Sequence, residues 1–223
     1  MHWPLLESLA PDYRDRVLRS TRRRRFARGE IVFHEGDPGD SLHLIDSGIF
    51  AVQVSTRGGE RATLNTLASG GFFGELALLQ GPDTGSRSAT VVALAPSETL
   101  TLGGTAFTEL RASNPALEGL VVAALAQRVE QLSTRLLEAL YVSVDRRVYR
   151  RLLELADIYG ESSSQIVIPL SQEDLAMMAG ASRPTVNQVL QKLVAREMIT
   201  LGRRQISIRD ITALRDAAPS LEP

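Results

Sequence analysis

Ser171-Gln172-Glu173-Asp174-Leu175-Ala176-Met177-Met178-Ala179-Gly180-Ala181-Ser182-Arg183-Pro184-Thr185-Val186-Asn187-Gln188-Val189-Leu190-Gln191-Lys192-Leu193 has the sharpest local grammar in the chain. Ser171 is a hydroxyl followed three residues later by the acid Asp174, a relaxed capping box, so a helix starts here. Gly180 can take the left-handed conformation that ends it. Ser182 then caps a second helix, with Pro184 in the first turn, where a missing N–H is tolerated. Leu175, Met178, Ala179, Val186, Val189, Leu190 and Leu193 supply apolar faces, and small Ala176 sits where the two helices must approach closely. Two short helices joined by a Gly-containing turn form a helix-turn-helix.

The outward residues of the second helix point to a partner. Arg183, Thr185, Asn187, Gln188, Gln191 and Lys192 project donors and acceptors. Arg suits guanine edges, Asn and Gln suit adenine, and Lys suits phosphate. Thr200–Ile208 follows as a hairpin with Arg203 and Arg204 at its tip, which reads as a wing. Residues 181–209 hold six basic side chains against the single acid Glu197. A solvated helical hairpin inside an enzyme would share the helices, but caps, polar readers and wing together favour double-stranded DNA. Ser171 and Gln172, at the head of the first helix, join this candidate DNA-binding set with Ser182.

Working toward the N-terminus, Ile166–Leu170 reads as a strand, 160–164 as a polar break, and Arg146–Tyr159 as a helix. From Ala116 to about Tyr141 only Gly119 interrupts a long helix, on which Val122, Leu125, Val129, Leu132, Leu136 and Ala139 recur at spacings of three and four. That seam predicts a dimerisation helix, though an ordinary core helix would share its spacing. Val121, Leu137 and Leu140 form a second line expected to pack on the helix's own domain. Before Asn114-Pro115 the punctuation changes, and thirteen of the seventeen Gly fall within 26–110. Short apolar runs at 31–33, 42–45, 50–54, 62–64, 90–94 and 99–102 alternate with turns, which predicts an antiparallel sandwich or barrel. Residues 1–20 read as a short helix through Leu5, Leu9, Tyr13, Val17 and Leu18. The expected chain is α+β: residues 1–114 an antiparallel β domain with an N-terminal helix, 115–141 the dimerisation helix, and 142–223 a winged helix-turn-helix domain. The 141–146 segment is expected to act as a hinge.

Gly70-Gly71-Phe72-Phe73-Gly74-Glu75-Leu76-Ala77-Leu78-Leu79, with Arg87-Ser88-Ala89-Thr90-Val91 beyond it, is a second dense motif. Gly74 lets backbone approach a ligand, and Glu75 accepts hydrogen bonds from hydroxyls. A short helix starting at Glu75 would point N–H groups at an anion that Arg87 neutralises, with Ser88 as a further donor. Sugar hydroxyls beside a phosphate satisfy this set, whereas a surface turn with an Arg–Glu salt bridge is the plainer alternative.

Over nearly its whole length the chain resembles the cyclic-AMP receptor protein/FNR superfamily of bacterial regulators. The resemblance rests on Gly74-Glu75-Leu76-Ala77 with Arg87-Ser88-Ala89-Thr90-Val91, on Gly36-Asp37-Pro38-Gly39-Asp40-Ser41-Leu42, and on Ala181-Ser182-Arg183-Pro184-Thr185-Val186. It implies a β-roll sensor, a long dimer helix and a winged helix-turn-helix. Glu75 would hold a ribose hydroxyl, Gly74 and Ser88 would line the pocket with Leu76 and Ala77, and Arg87 would grip a cyclic phosphate. Arg128, on the long helix, matches a family Arg near this site. Three departures stand out. Glu75 and Arg87 lie twelve positions apart, longer than usual, with 81–86 filling the excess. Leu132-Ser133 stands where the cyclic-AMP receptors have Thr-Ser, so Ser133 can still bond a base and Leu132 cannot. Pro184 replaces a Glu of many recognition helices. The expectation is a homodimeric transcription regulator on a pseudo-palindromic operator, with a cyclic nucleotide effector (cAMP or cGMP) and RNA polymerase as a further partner. A regulator answering to cyclic di-GMP or to no effector, and a nucleotide-binding regulatory subunit without DNA binding, are the alternatives.

Composition bounds these readings. Lys plus Arg number 25 against 26 Asp plus Glu, a net charge of -1, which argues against indiscriminate coating of polyanions. All the basic residues but Lys192 are Arg, a bias that phosphate or guanine recognition and a GC-rich genome would both give. The absence of Cys excludes disulfides, thiolate metal sites and cysteine nucleophiles. No run approaches a membrane span and no signal peptide is evident, so a cytoplasmic protein with no membrane partner is expected. No nucleophile–base pair or triphosphate loop appears, so an enzyme is not expected. Arg22–Arg25 read as a solvated basic run before the first strand, and His34 and His43 as structural residues rather than metal ligands.

Overall fold

The structure, a computed structural model, describes Trp3, Leu6 and residues 9–81, 85–160 and 166–218. Leu5, residues 82–84 of the 81–86 loop and 161–164 of the polar break lie outside the described residues. The chain divides into two compact units, 1–60 with 64–132, and 61–63 with 133–223.

In the first unit α1 (Pro11–Arg19) leads into β1 (Arg22–Phe26), β2 (Ile31–Phe33), β3 (Ser41–Ser47), β4 (Ile49–Ser55), β5 (Arg61–Ala68) and β6 (Phe72–Phe73). The six-residue helix α2 (Glu75–Gln80), β7 (Thr90–Ala93), β8 (Ser97–Gly103), α3 (Gly104–Ser113) and α4 (Pro115–Tyr141) follow, α4 passing into the second unit from residue 133. Two four-stranded sheets result, ordered β1-β8-β3-β6 and β2-β7-β4-β5, and their registered pairs run antiparallel. β3 is buried from Ser41 to Asp46 because both its faces are covered. With side chains alternating across the strand, Leu42 and Leu44 join a core with Trp3, Leu6, Phe107, Leu117 and Val121. Ile45 joins the second core, with Phe26, Phe50, Phe73, Val91 and Ala93. Burying each of Phe50, Phe73 and Phe107 contributes about 1.5–3 kcal/mol. The Trp3 indole N–H donates to the Ile45 carbonyl at 2.9 Å, so its ring is buried with its polar atom satisfied.

Two sequence expectations are corrected here. Arg22–Arg25 do not precede the first strand; they are that strand, pairing antiparallel with β8 from Arg22↔Thr101 to Phe26↔Ser97. β1 is an edge strand whose four arginines are exposed, so charge there is compatible with pairing and discourages further pairing with other chains. On α4, Leu137 and Leu140 are 51% and 63% exposed rather than packed on their own domain. The helix touches its core only early, through Leu117, Leu120, Val121 and Leu125. Beyond that stretch Val129, Leu132, Leu136, Leu137, Leu140 and Tyr141 present an apolar surface.

The second unit holds α5 (Val144–Tyr159), β9 (Ile166–Ile168), α6 (Gln172–Ala179), α7 (Arg183–Ala195), β10 (Ile199–Gly202), β11 (Gln205–Ile208) and α8 (Ile211–Asp216), with sheet order β10-β11-β9. β9 stops before Pro169, which has no N–H for a ladder. The interruption between α4 and α5 is confined to Val142 and Ser143, shorter than the 141–146 hinge expected. Across it the buried Glu138 carboxylate accepts from both Arg150 and Arg151, and Arg151 also donates to Glu154. Among the described residues no helix is long and apolar enough to cross a membrane.

Candidate functional site

Gly74 ends β6 at φ 93°, a left-handed conformation that L side chains rarely adopt. A Cβ there would lie 2.6 Å from Arg87 Nη1 and 2.7 Å from the Ser41 carbonyl oxygen, so glycine is required twice over. The next residue, Glu75, is 1% exposed. Its Oε1 accepts from Arg128 Nη1, while Oε2 is buried with no hydrogen-bond partner. An unsatisfied buried oxygen of this kind costs about 1–3 kcal/mol and is relieved by any hydroxyl that donates to it.

Arg87 is buried with its charge. Nη1 donates to the carbonyls of Ser41 at 2.8 Å and Gly74 at 3.0 Å, and Nη2 to Asp40 Oδ1 at 3.2 Å and Ser41 Oγ at 3.1 Å. The guanidinium also lies 4.1 Å from the Phe33 ring centroid. Burial pushes its pKa down and nearby Asp40 pushes it back up. The surface Arg–Glu salt bridge is therefore not what forms: Arg87 pairs with Asp40 and Glu75 with Arg128. Backbone bonds hold the 36–41 turn in place, from Gly36 to the Arg87 carbonyl, Arg87 to Asp37 and Gly39 to Gly85. His43 stacks on Phe73 with centroids 4.9 Å apart, and its ring nitrogens approach the Ser41, Thr99 and Thr101 hydroxyls. Burial, then the Arg87 and Arg24 charges, push its pKa down to about 3. Such a histidine is neutral, and its surroundings are those of a structural residue.

Gly74, Glu75, Leu76, Ala77, Arg87, Ser88 and Arg128 all line one cavity of only about 40 Å³. A second cavity, of about 590 Å³, also touches Arg128 and is walled by β5, the β5–β6 turn and α4. Only the second falls in the size range of small-molecule pockets, ~300–1,000 Å³. Leu132 and Ser133 line neither; both are exposed on α4. The sequence reading missed Asn65, Gln127 and Gln131, which border the larger cavity. Two signals were available: Asn65 is polar within the apolar run of β5, and Gln127 and Gln131 are four apart on one helix face.

The second unit has its own polar surface. Ser171 accepts from the Asp174 N–H at 3.1 Å while Asp174 accepts from the Ser171 N–H, the full capping box, and Gly180 closes α6 at φ 59°. The Ser171 hydroxyl also donates to Asp174 at 2.6 Å, so it is committed to the cap. Ser182 caps α7, accepting from the Thr185 N–H at 3.3 Å, and the two hydroxyls meet at 2.8 Å. Arg183, Gln188, Gln191 and Lys192 are exposed, while Gln172, Thr185 and Asn187 are half-buried. Val186, Val189, Leu190 and Leu193 face inward. Lys192 is not a lone cation, because its ammonium donates to Asp145 at 2.7 Å. Arg203 and Arg204 are exposed at the β10–β11 turn, where Arg204 takes φ 55°.

Residues 23–114 match the cyclic nucleotide-binding domain family, and residues 146–217 match the Crp-like helix-turn-helix domain family. The chain is 33% identical over 218 residues to the cyclic AMP receptor protein of Thermus thermophilus, covering 96% of each chain. It is 29% identical over 188 residues to the CRP-like cAMP-activated global transcriptional regulator of Mycobacterium tuberculosis, covering 83% of each. Among solved structures, the c-di-GMP-responsive global regulator CLP of Xanthomonas campestris shares the fold, with a TM-score of 0.76 at 21% identity over 89% of this chain and 99% of that one.

Proposed function

The chain belongs to the CRP/FNR family of transcription regulators, and from that premise we propose that it is a homodimer whose DNA affinity is set by cAMP bound at Gly74, Glu75, Arg87 and Ser88. At the coarser level it is a DNA-binding transcriptional regulator with a cyclic nucleotide-binding domain, in a family of regulators rather than enzymes. The proposed division is a sensor over 1–114, a dimerisation helix over 115–141 and a DNA-binding domain over 142–223. The working site is cytoplasmic, with RNA polymerase as a further partner.

The observation that carries the ligand reading is the buried, unpartnered Oε2 of Glu75. A ribose hydroxyl donating to it removes the desolvation cost, with Leu76 and Ala77 on the same wall. The cyclic phosphate takes Arg87 donors now spent on the Ser41 and Gly74 carbonyls, and Ser88 adds a hydroxyl. Because the cavity at these residues is small, the ligand selects a state in which it is wider, and population shift follows from that differential affinity. The relatives named for cAMP favour that nucleotide. The apolar surface of α4 supports the dimer, with Leu132 and Ser133 carried on it. On the DNA side Arg183, Thr185, Asn187, Gln188 and Gln191 read bases, while Gln172, Ser182, Lys192, Arg203 and Arg204 meet the backbone. Ser171 acts there by capping α6.

Calorimetric titration with cAMP, cGMP and cyclic di-GMP tests the reading. Saturable heat with cAMP, weakened at least about tenfold by Glu75→Gln, is expected. Heat with cyclic di-GMP alone, or with none of the three, would overturn it.

A further inference from the structure

The larger cavity beside Arg128 gives this chain a polar wall that the sequence motifs do not include. We propose that the carboxamides of Asn65 and Gln131 read the base of the bound nucleotide and select adenine over guanine. The inference rests on the cyclic-nucleotide reading above and adds to it the residues that set base specificity.

Arg128 borders both cavities, so a ligand whose ribose meets Glu75 carries its base past Arg128 into the 590 Å³ space. There Leu67 and Phe72 supply apolar surface for a flat ring. Asn65 is 9% exposed, and its Oδ1 accepts from the Thr66 N–H at 2.8 Å. That bond fixes the amide, so its Nδ2 is the group that faces across, donating to Gln131 Oε1 at 3.4 Å. A bond this long is weak and is readily exchanged for ligand atoms. Opening it presents one donor, Asn65 Nδ2, beside one acceptor, Gln131 Oε1.

Adenine carries one donor beside one acceptor on both of its outer edges, N6 with N1 and N6 with N7, and this pair matches either approach. Guanine offers two acceptors at O6 and N7, or two donors at N1 and N2. Among the described residues the wall holds no carboxylate to accept that donor pair. Guanine matches this pair only at O6 with N1, which leaves its N2 amino group without an acceptor; O6 with N7 sets an acceptor against Gln131 Oε1, and N1 with N2 sets a donor against Asn65 Nδ2. Leu132 takes adenine recognition away from its own position on the helix. Gln131, one residue earlier and on the cavity, restores it.

The test is the ratio of cGMP to cAMP dissociation constants, measured by calorimetry on the full chain and on Gln131→Glu and Gln131→Leu. Gln131 is exposed, so neither variant endangers the fold. The wild type is expected to favour cAMP. Gln131→Glu, whose carboxylate accepts from N1 and N2 of guanine, is expected to move the ratio toward cGMP by at least about tenfold. Gln131→Leu is expected to weaken cAMP more than cGMP. Ratios within threefold of wild type in both variants, with nucleotide still bound, would overturn the amide reading alone. A wild type that takes up neither nucleotide would instead overturn the cyclic-nucleotide reading, and the amide reading with it.

Discussion

Glu75 and Arg128 show how much of the site's energetics sits in two side chains. Glu75 is almost fully enclosed and Arg128 about one-fifth exposed, so removing the arginine strands a buried carboxylate. Arg128→Met should destabilise the protein by about 3 kcal/mol, the low end for an uncompensated buried charge. Adding Glu75→Gln should recover most of that loss, and a double-mutant cycle by urea unfolding reads the coupling directly. His43 sets a pH dependence of opposite character. Its folded pKa of about 3 lies below the ordinary 6.5, so the unfolded chain takes up the proton first. Stability is therefore full above about pH 6.5 and falls as pH drops toward 3, by a contribution on the order of a few kcal/mol. His43→Gln should flatten that part of a stability-versus-pH curve, and an unchanged curve would remove His43 as its origin. Glu75 and Arg87 were legible because they sit in a compact Gly-rich motif. Asp40, which holds Arg87 from 47 positions away, and Asn65, whose helix partner is 66 away, were not. Local patterns do not encode such pairings.

At the scale of elements, α7 separates two kinds of cation. Arg183 is exposed at its first turn, whereas Lys192 near its end already meets Asp145. Arg183→Ala should weaken a specific site by about 1–3 kcal/mol while sparing unrelated DNA. Lys192→Ala should reduce the salt slope by less than one, and Asp145→Asn should steepen it by freeing the ammonium. Anisotropy titrations across a salt series decide both, and equal loss on all sequences would make Arg183 a phosphate contact. The helix-turn-helix was legible down to its ends because caps are local: Ser171, Gly180 and Ser182 each act within four residues. β1 was not, since four successive arginines look like solvated charge until β8 supplies a partner and leaves them on an open edge. α3 was hidden for a related reason, because Gly103-Gly104 at its start resembles loop punctuation.

For the whole molecule, the near-neutral net charge is an average over unlike parts. The excess of five positive charges in 181–209 coincides with α7 and the wing, the surface proposed to meet DNA. The apolar surface on α4 is the second molecular feature, and it was legible as a seam while its extent was not. Leu137 and Leu140 add to it instead of covering the chain's own core. A partner helix would bury that surface, so sedimentation should give a dimer at micromolar concentration, and Leu136→Glu should give a folded monomer. A wild-type monomer would contradict the assembly. The central claim, that a cyclic nucleotide held at Glu75 and Arg87 governs DNA binding, is tested most directly by one measurement. Affinity for a genomic fragment selected by the protein itself is compared with and without saturating cAMP, in wild type and Glu75→Gln. A gain of at least about tenfold is expected for wild type and none for the variant, a coupling of ~1.4 kcal/mol or more. Equal affinity with and without cAMP in the wild type would contradict it.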